Sequence, residues 1–311
     1  MSIYNNCYGS RRRYMNADGL SSLPPKPLVA IVGETASGKT AAAIATAKRV
    51  DGEVISADSW AVYRGFDIGT AKPDAAERGA VPFHGIDIAD PRDGFSAAAF
   101  KSAAQAAIRA IHDRGRVPII VGGSGLYVDA VLYDFSFLPA GPAEQRQRLN
   151  ALPLGDVLRL AGERGIDLAG IDTRNKRRVI RAIETGGQRP VKRHLPAGVL
   201  YVGIRMPHQQ LYERIVQRVD AMLQAGLERE VRALADQYGW NAEPMKGIGY
   251  REWREYFDGA FGLPQTRERI IAATNQLAKR QRTWFKRNPD IQWIDDPNTI
   301  PELAAQFLSH Q

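Results

Sequence analysis

One stretch narrows the folds open to this chain more than any other. Leu28 to Val32 is an apolar run. Gly33-Glu34-Thr35-Ala36-Ser37-Gly38-Lys39-Thr40 then follows the pattern G-x-x-x-x-G-K-[ST], and the Ala-rich segment Ala41 to Val50 comes next. A buried strand, a glycine loop and a helix in that order make a phosphate cradle. The glycines let successive backbone N–H groups turn toward one anion, and the helix N-terminus adds partial positive charge. Lys39 is placed to reach terminal phosphates, and Thr40 offers a hydroxyl to Mg²⁺. The loop specifies a polyphosphate without saying which one.

Later segments repeat the theme. Glu53 to Ala57 reads as a second strand, ending at Asp58-Ser59. Functional groups gather at strand carboxyl ends in open α/β sheets, so Asp58 is a candidate to face the phosphate loop. Val62 to Pro73 mixes aromatic, glycine and basic residues without periodicity, as a functional loop does. Val81 to Ile88 reads as a short extended piece. Phe95 to Arg114 is an amphipathic helix with Ser96 as its N-cap and Gly115 as its stop. Val117 to Val121 is another buried strand, and it runs into Gly122-Gly123-Ser124-Gly125, a second glycine turn opening a helix. Leu200 to Ile204 returns to strand. Helices are expected over Gln209 to Gln224, after Gly226, and over Thr266 to Arg287, with a last strand at Ile291 to Ile294. In the last helix Ile270, Ile271, Thr274, Leu277 and Trp284 are read as inward, and Lys279, Arg280, Arg282, Lys286 and Arg287 as outward. The fold class is α/β, a P-loop NTPase-like parallel sheet flanked by helices with a helical insertion.

Residues 24–138 and 200–311 are read as the catalytic core and 139–199 as the insertion. The insertion has Pro and Gly breaks, no convincing strand and many arginines. Arg177, Arg178 and Arg181 share nearby faces of one expected helix, Asn175 to Thr185, an electrostatic footprint for phosphates. A solvated charged face is the competing reading. The whole chain is basic, 42 Lys+Arg against 34 Asp+Glu for a net +8, which fits a polyanionic partner. The single cysteine, Cys7, excludes an internal disulfide and a Cys-cluster zinc site. A cytoplasmic setting fits that cysteine usage, and no run is long enough to span a bilayer. Met1 to Leu23 is polar, carries Arg11-Arg12-Arg13 and is expected to be a disordered tail.

Most P-loop NTPases place an acid at the end of a later apolar strand to order Mg²⁺. Here that strand ends in Gly122-Gly123, and no N-K-x-D base-reading motif is present. Asp58 is the nearest acid to the loop. This is the layout of a small-molecule kinase or of a transferase with diphosphate as leaving group. At this level the chain resembles the tRNA dimethylallyltransferase (IPP transferase) family. The resemblance is carried by Gly33 to Thr40, Ser56-Ala57-Asp58-Ser59, Val62 to Lys72 and Gly122 to Tyr127. It continues through Arg177 to Glu184, Ile248-Gly249-Tyr250 and Ala273 to Phe285, in family order.

The resemblance implies transfer of a dimethylallyl group from dimethylallyl diphosphate to the exocyclic amine of the adenosine 3′-adjacent to the anticodon in tRNA. It implies Gly33, Glu34, Thr35, Ala36, Ser37, Gly38, Lys39 and Thr40 as the diphosphate site. Mg²⁺ would sit on Thr40, and Asp58 would be the general base. Thr35, Lys39, Ser124 and Arg218 are further catalytic candidates. It places tRNA contacts at Asp58, Ser59, Trp60, Ala61, Ser124, Arg177, Arg178, Val179, Ile180 and Arg181, while Lys279, Arg280 and Arg282 are added from the basic, aromatic-interleaved last helix. The partners are then the anticodon stem-loop and dimethylallyl diphosphate, with no membrane, and a monomer is expected. Three positions depart from the family: Glu34 replaces the usual Pro, Ala61 the usual Gln and Ser124 the usual Thr. The insertion is shorter than usual, and the C-terminal region has no Cys/His zinc module. The rival readings are a P-loop kinase of a small metabolite, a transferase acting on free adenine nucleotides, and a noncatalytic RNA-binding protein.

Overall fold

β1 (Leu28–Gly33) is buried along its whole length. Leu28, Ala30 and Val32 face one apolar cluster, while Val29 and Ile31 face another. A strand covered on both faces has to be apolar throughout, which is why it reads as a continuous run. The computed structural model describes residues 26–139 and 141–311. The tail expected at Met1 to Leu23 lies outside the described residues.

After β1 come α1 (Lys39–Val50), β2 (Gly52–Ser56), α2 (Ala75–Ala80), β3 (Phe83–His84), α3 (Ala97–Asp113), β4 (Val117–Gly122) and α4 (Gly125–Leu132). The helices α5 (Ala143–Ala151), α6 (Leu154–Glu163) and α7 (Lys176–Glu184) precede β5 (Val199–Ile204). The chain continues through α8 (His208–Gln224), α9 (Leu227–Tyr238), α10 (Arg254–Phe257), α11 (Leu263–Phe285), β6 (Gln292–Ile294) and α12 (Ile300–Ser309).

The strands form one sheet in the order β3-β2-β4-β1-β5-β6, and every neighbouring pair is parallel. The chain leaves β1 toward β2 and leaves β4 toward β5. Connections from these two adjacent strands therefore run opposite ways, and a crevice opens beyond their carboxyl ends. Both glycine turns sit at that crevice.

Local chemistry explains the helix limits. Ser96 caps α3 by accepting from Ala99 N, and Asn175 caps α7 by accepting from Arg178 N. α11 begins at Leu263 instead of Thr266, because Pro264 in its first turn lacks only an N–H that has no helical partner there. Its end also differs from expectation. Phe285 is buried, whereas Trp284 is 37% exposed. α2 and α12 were not expected. α2 is too short to show a period and rests on a capping box between Asp74 and Glu77. α12 places Ile300 and Ala304 in the same cluster as Ala43 and Ala47 of α1, a contact that periodicity cannot reveal.

α5, α6 and α7 enclose a cluster of their own, including Leu149, Val157, Ala161, Val179, Ile180 and Ile183. The segments entering and leaving this unit are pinned by an isolated antiparallel bridge between Ser136 and Val191. Arg181 braces the same junction, donating to the carbonyls of Leu138 and Pro139 and pairing with Glu184 at 3.2 Å.

Candidate active site

The phosphate loop joins β1 to α1 as the motif requires. Gly38, the last residue before α1, sits at φ 89, a left-handed conformation that glycine alone enters without steric cost. Across the crevice, a Cβ on Gly122 would lie 2.2 Å from the Ala57 carbonyl oxygen. The ends of β2 and β4 close up only because that position is glycine. Gln281 on α11 then joins the two turns. Its Oε1 accepts from Thr35 N at 2.8 Å, and its Nε2 donates to Gly123 O at 3.1 Å.

Lys39 Nζ donates to Glu34 O at 2.9 Å, and Arg218 Nη1 donates to Thr35 Oγ1 at 3.3 Å. Asp58 sits at the carboxyl end of β2, where its Oδ1 accepts from Trp60 N at 2.8 Å and Ala61 N at 3.3 Å. Among the described residues, Oδ2 makes no hydrogen bond. Two cavities meet here. The smaller, about 80 Å³, is lined by Thr35, Lys39, Thr40, Asp58, Thr70 and Arg218, among others. The larger, about 200 Å³, has walls of Ile215, Val219, Met222, Ile248, Ile270 and Leu277, with the cations Lys246, Arg251 and Arg280. Thr35, Asp58, Thr70, Arg218 and Leu277 line both. One side is therefore cationic and polar, the other apolar, and Asp58 stands at the boundary.

The cations in this site are held away from bulk water. Burial, with Arg218 nearby, pulls the Lys39 ammonium down to about 8 against the opposing pull of Asp58 and Glu34. Burial likewise lowers Arg218, with Asp58 acting against it. Each keeps a face on the cavity while protein surrounds the rest. Desolvated cations without a carboxylate in direct contact favour an incoming anion.

Several expected residues play other parts. The Glu34 carboxylate is buried in an ion pair with Arg282, with Oε2 to Nη2 at 3.0 Å. Glu34 therefore offers the loop only its backbone, and Arg282 does not face outward. Ser124 Oγ accepts from Ser59 N at 3.0 Å and donates to Ser59 Oγ at 3.3 Å. It braces the turn after Asp58, and it is not among the residues lining either cavity. Ala61 is 3% exposed, its N–H is engaged by Asp58 and it lines the smaller cavity, whereas Trp60 lines the larger one. Val179 and Ile180 lie in the core of the insertion, so a direct contact with RNA is corrected to a packing role. Arg181 is committed to the junction described above. Arg178 and Lys279 are exposed, and Arg280 lines the larger cavity.

Reasoning from sequence missed Gln281, Lys246 and Glu230. Glu230 accepts from Asp67 N, Ile68 N, Gly69 N and Tyr250 OH, ordering the loop that brings Thr70 to the site. Lys72 fixes the same loop from below, its ammonium on Tyr63 O, Asp67 and Asp87. No spacing rule in the sequence pairs these residues. The only local signal is the polar run around Gln281.

The family described as IPP transferase matches residues 61–288. The tRNA dimethylallyltransferase 1 of Pelobacter propionicus is 42% identical over 306 residues, covering 92% of this chain and 97% of that one. The chain belongs to the IPP transferase family. A second relative in curated form, the tRNA dimethylallyltransferase of Bacillus subtilis, is 39% identical over 293 residues, 87% of this chain and 91% of that one. The solved tRNA isopentenylpyrophosphate transferase of Bacillus halodurans is 38% identical with a TM-score of 0.72, covering 92% of this chain and 98% of that one. The family match begins at Ala61, so the phosphate loop and Asp58 lie upstream of it. As a member of the IPP transferase family, the chain carries both the matched span and that upstream loop in one crevice.

Proposed function

We propose that this protein transfers a dimethylallyl group from dimethylallyl diphosphate to the exocyclic amine of the adenosine 3′-adjacent to the anticodon in tRNA. The observation that carries the reading is the meeting of a cationic cavity and an apolar one at Asp58. An allylic diphosphate has the same two halves. Its diphosphate suits Lys39, Arg218 and the loop N–H groups, and its five-carbon chain suits the apolar walls. The acceptor amine enters past Lys246, Arg251 and Arg280, cations that favour a nucleic-acid backbone at the mouth.

In the reaction the amine nitrogen bonds to the allylic carbon as the carbon–oxygen bond to diphosphate breaks. Negative charge grows on the leaving group, where Lys39 and Arg218 are already desolvated and fixed, the arrangement that lowers a barrier most. Asp58 takes the amine proton. An adenine amine is a weak nucleophile, so holding it against the allylic carbon contributes as much as the base does. Gln281 serves by fixing the loop backbone. Thr40 is a hard oxygen donor on the smaller cavity, and its hydroxyl would hold Mg²⁺ there. The ion, when bound there, would neutralise charge on the diphosphate.

The decisive experiment offers labelled dimethylallyl diphosphate with unmodified tRNA, AMP or ATP. Label is expected on tRNA alone, with release of one diphosphate per transfer. Label on AMP or stoichiometric ADP formation would overturn the reading in favour of a free-nucleotide transferase or a kinase.

A further inference from the structure

Helix α11 straddles the phosphate loop. Consecutive helical residues point about 100° apart, and Gln281 and Arg282 reach the loop on different sides. Gln281 lines the smaller cavity of the site and accepts from Thr35 N at 2.8 Å. Arg282 lines a separate cavity behind the loop, with Gly33, Glu34, Phe285 and Trp293. There its Nη2 donates to Glu34 Oε2 at 3.0 Å, and its Nε lies 2.5 Å from Oε1. Glu34 is 5% exposed, so its charge depends on that arginine. The carbonyl of the same residue accepts from Lys39 Nζ at 2.9 Å and from Ser37 N at 3.2 Å. The Lys39 ammonium is thus held by a residue that α11 itself holds. The family usually has Pro at this position, where a ring fixes φ without help from neighbours. Glu34 has no ring, and its partner stands 248 positions away. We propose that Glu34 and Arg282 are positioning residues for prenyl transfer: their ion pair takes the part of the ring and holds the loop, and with it Lys39, in place for the diphosphate.

The inference rests on the loop being the diphosphate site. A cation aimed at developing charge helps most when its place is set before the reaction. A lysine side chain is long, and one free to change rotamer would lose that freedom each time a diphosphate bound. Here the ordering is built in, from Arg282 through the Glu34 side chain to the Glu34 carbonyl. The carboxylate is shielded from water, so the pair is screened far less than a surface pair. Removing Arg282 alone leaves a buried charge unpaired beside the loop. The two side chains therefore act as one unit, and losing both costs less than the sum of the two single losses.

The test measures binding of inorganic diphosphate with Mg²⁺ by calorimetry, single-turnover transfer to an unmodified tRNA transcript, and binding of that transcript at several KCl concentrations. Arg282→Met is expected to weaken diphosphate binding about tenfold and to slow transfer by about as much. Affinity for tRNA and its salt slope should match the wild type, because Arg282 meets a carboxylate and no phosphate. In a Glu34→Pro background the ring replaces the pair, and the same Arg282→Met change is expected to alter diphosphate binding and transfer by less than about twofold. Arg282→Lys, which keeps the charge, should recover most of the loss. If Arg282→Met does not fold, Glu34→Gln carries the comparison: it should weaken diphosphate binding, and adding Arg282→Met to it should change little more. A folded Arg282→Met protein with wild-type diphosphate affinity would overturn the proposal. An equal loss in the Glu34 and Glu34→Pro backgrounds, or a loss confined to tRNA affinity, would overturn it too. A wild-type protein that does not bind diphosphate would instead sink the reading of the loop. A wild type that binds diphosphate and prenylates the transcript, with no dependence on Arg282, would sink only this pair.

Discussion

The two ends of the sheet treat buried charge in opposite ways. At the amino end, Glu53 of β2 is 2% exposed and fully answered. Arg114 donates to both of its oxygens at 2.9 and 2.7 Å, His84 lies at 2.7 Å and Arg116 at 3.3 Å. The Arg114 hydrogen bonds, helped by His84 and Arg116, hold its carboxyl at about 2 in spite of burial. At the carboxyl end, Lys39 is pulled down to about 8, and among the described residues its hydrogen-bond acceptor is a carbonyl oxygen alone. Among the same described residues Arg218 has only a threonine hydroxyl. A buried charge that serves structure is neutralised within the protein. One that serves chemistry is left for the substrate to neutralise, and the fold bears the cost.

The strongest way to break this contrast is Asp58→Asn. It keeps size and hydrogen bonding while removing basicity. Single-turnover transfer should fall about a hundredfold to ten-thousandfold with tRNA binding largely retained. A rate restored by excess Mg²⁺ would make Asp58 a partner of the metal instead.

Lys39→Met comes next and has a signature in stability as well. Turnover should fall about a hundredfold to a thousandfold, the loss of one preorganised charge at the leaving group. The folded ammonium titrates near 8 against an ordinary 10.5. Between those values the unfolded chain binds the extra proton, so this group's contribution makes stability rise with pH across that window. Below pH 8 the buried charge is a burden on the fold. The variant without ligand should therefore melt higher at pH 7, by on the order of 1–2 kcal/mol after allowing for the cavity face. A lower melting temperature would mean that Lys39 stabilises the loop.

Gln281→Leu tests the joint between the two glycine turns. It should cost about tenfold in turnover, with stability lowered by about 1–2 kcal/mol at most, because it leaves the part-buried Thr35 N unpaired and loosens the donors around the diphosphate. The smallest effect on rate belongs to Glu53→Gln, at the far end of the sheet. Turnover should stay at the wild-type level while stability drops by about 2–3 kcal/mol. Because the folded carboxyl is depressed, its contribution is complete above the ordinary 4.5 and is lost as pH falls toward about 2. Chemical denaturation at pH 7 and pH 3 should show the difference between wild type and variant shrinking in acid. A large loss of turnover at pH 7 in a folded Glu53→Gln protein would remove the division of labour between the two ends.

The parts of this protein legible in sequence are those set by neighbours along the chain. β1 shows as an apolar run because both faces are covered, α3 and α7 show because Ser96 and Asn175 cap them, and the loop shows because glycine spacing is local. Asp58 could be placed because a strand end is also a local fact. The direction of a long side chain is not local. Arg177, Arg178 and Arg181 look alike in sequence. One reaches Glu243, one is exposed with no ion pair among the described residues, and one clamps backbone carbonyls at a junction. On α11, Arg282 turns in to a carboxylate 248 positions away while Arg280 lines the cavity, because the helix lies across the loop at an angle its own period does not encode.

By itself, then, the sequence determined the strand–loop–helix phosphate cradle, the parallel α/β layout and the family to which the chain is similar. Each depends on residue type and short spacing, through backbone sterics and burial. Tertiary structure alone decided that Gln281 joins the two glycine turns, that Glu230 and Lys72 order the loop carrying Thr70, and that Glu243 holds Arg177 beside Lys246. Those contacts join segments distant along the chain, and where the fold places α7, α9 and α11 sets which polar groups come within hydrogen-bonding reach.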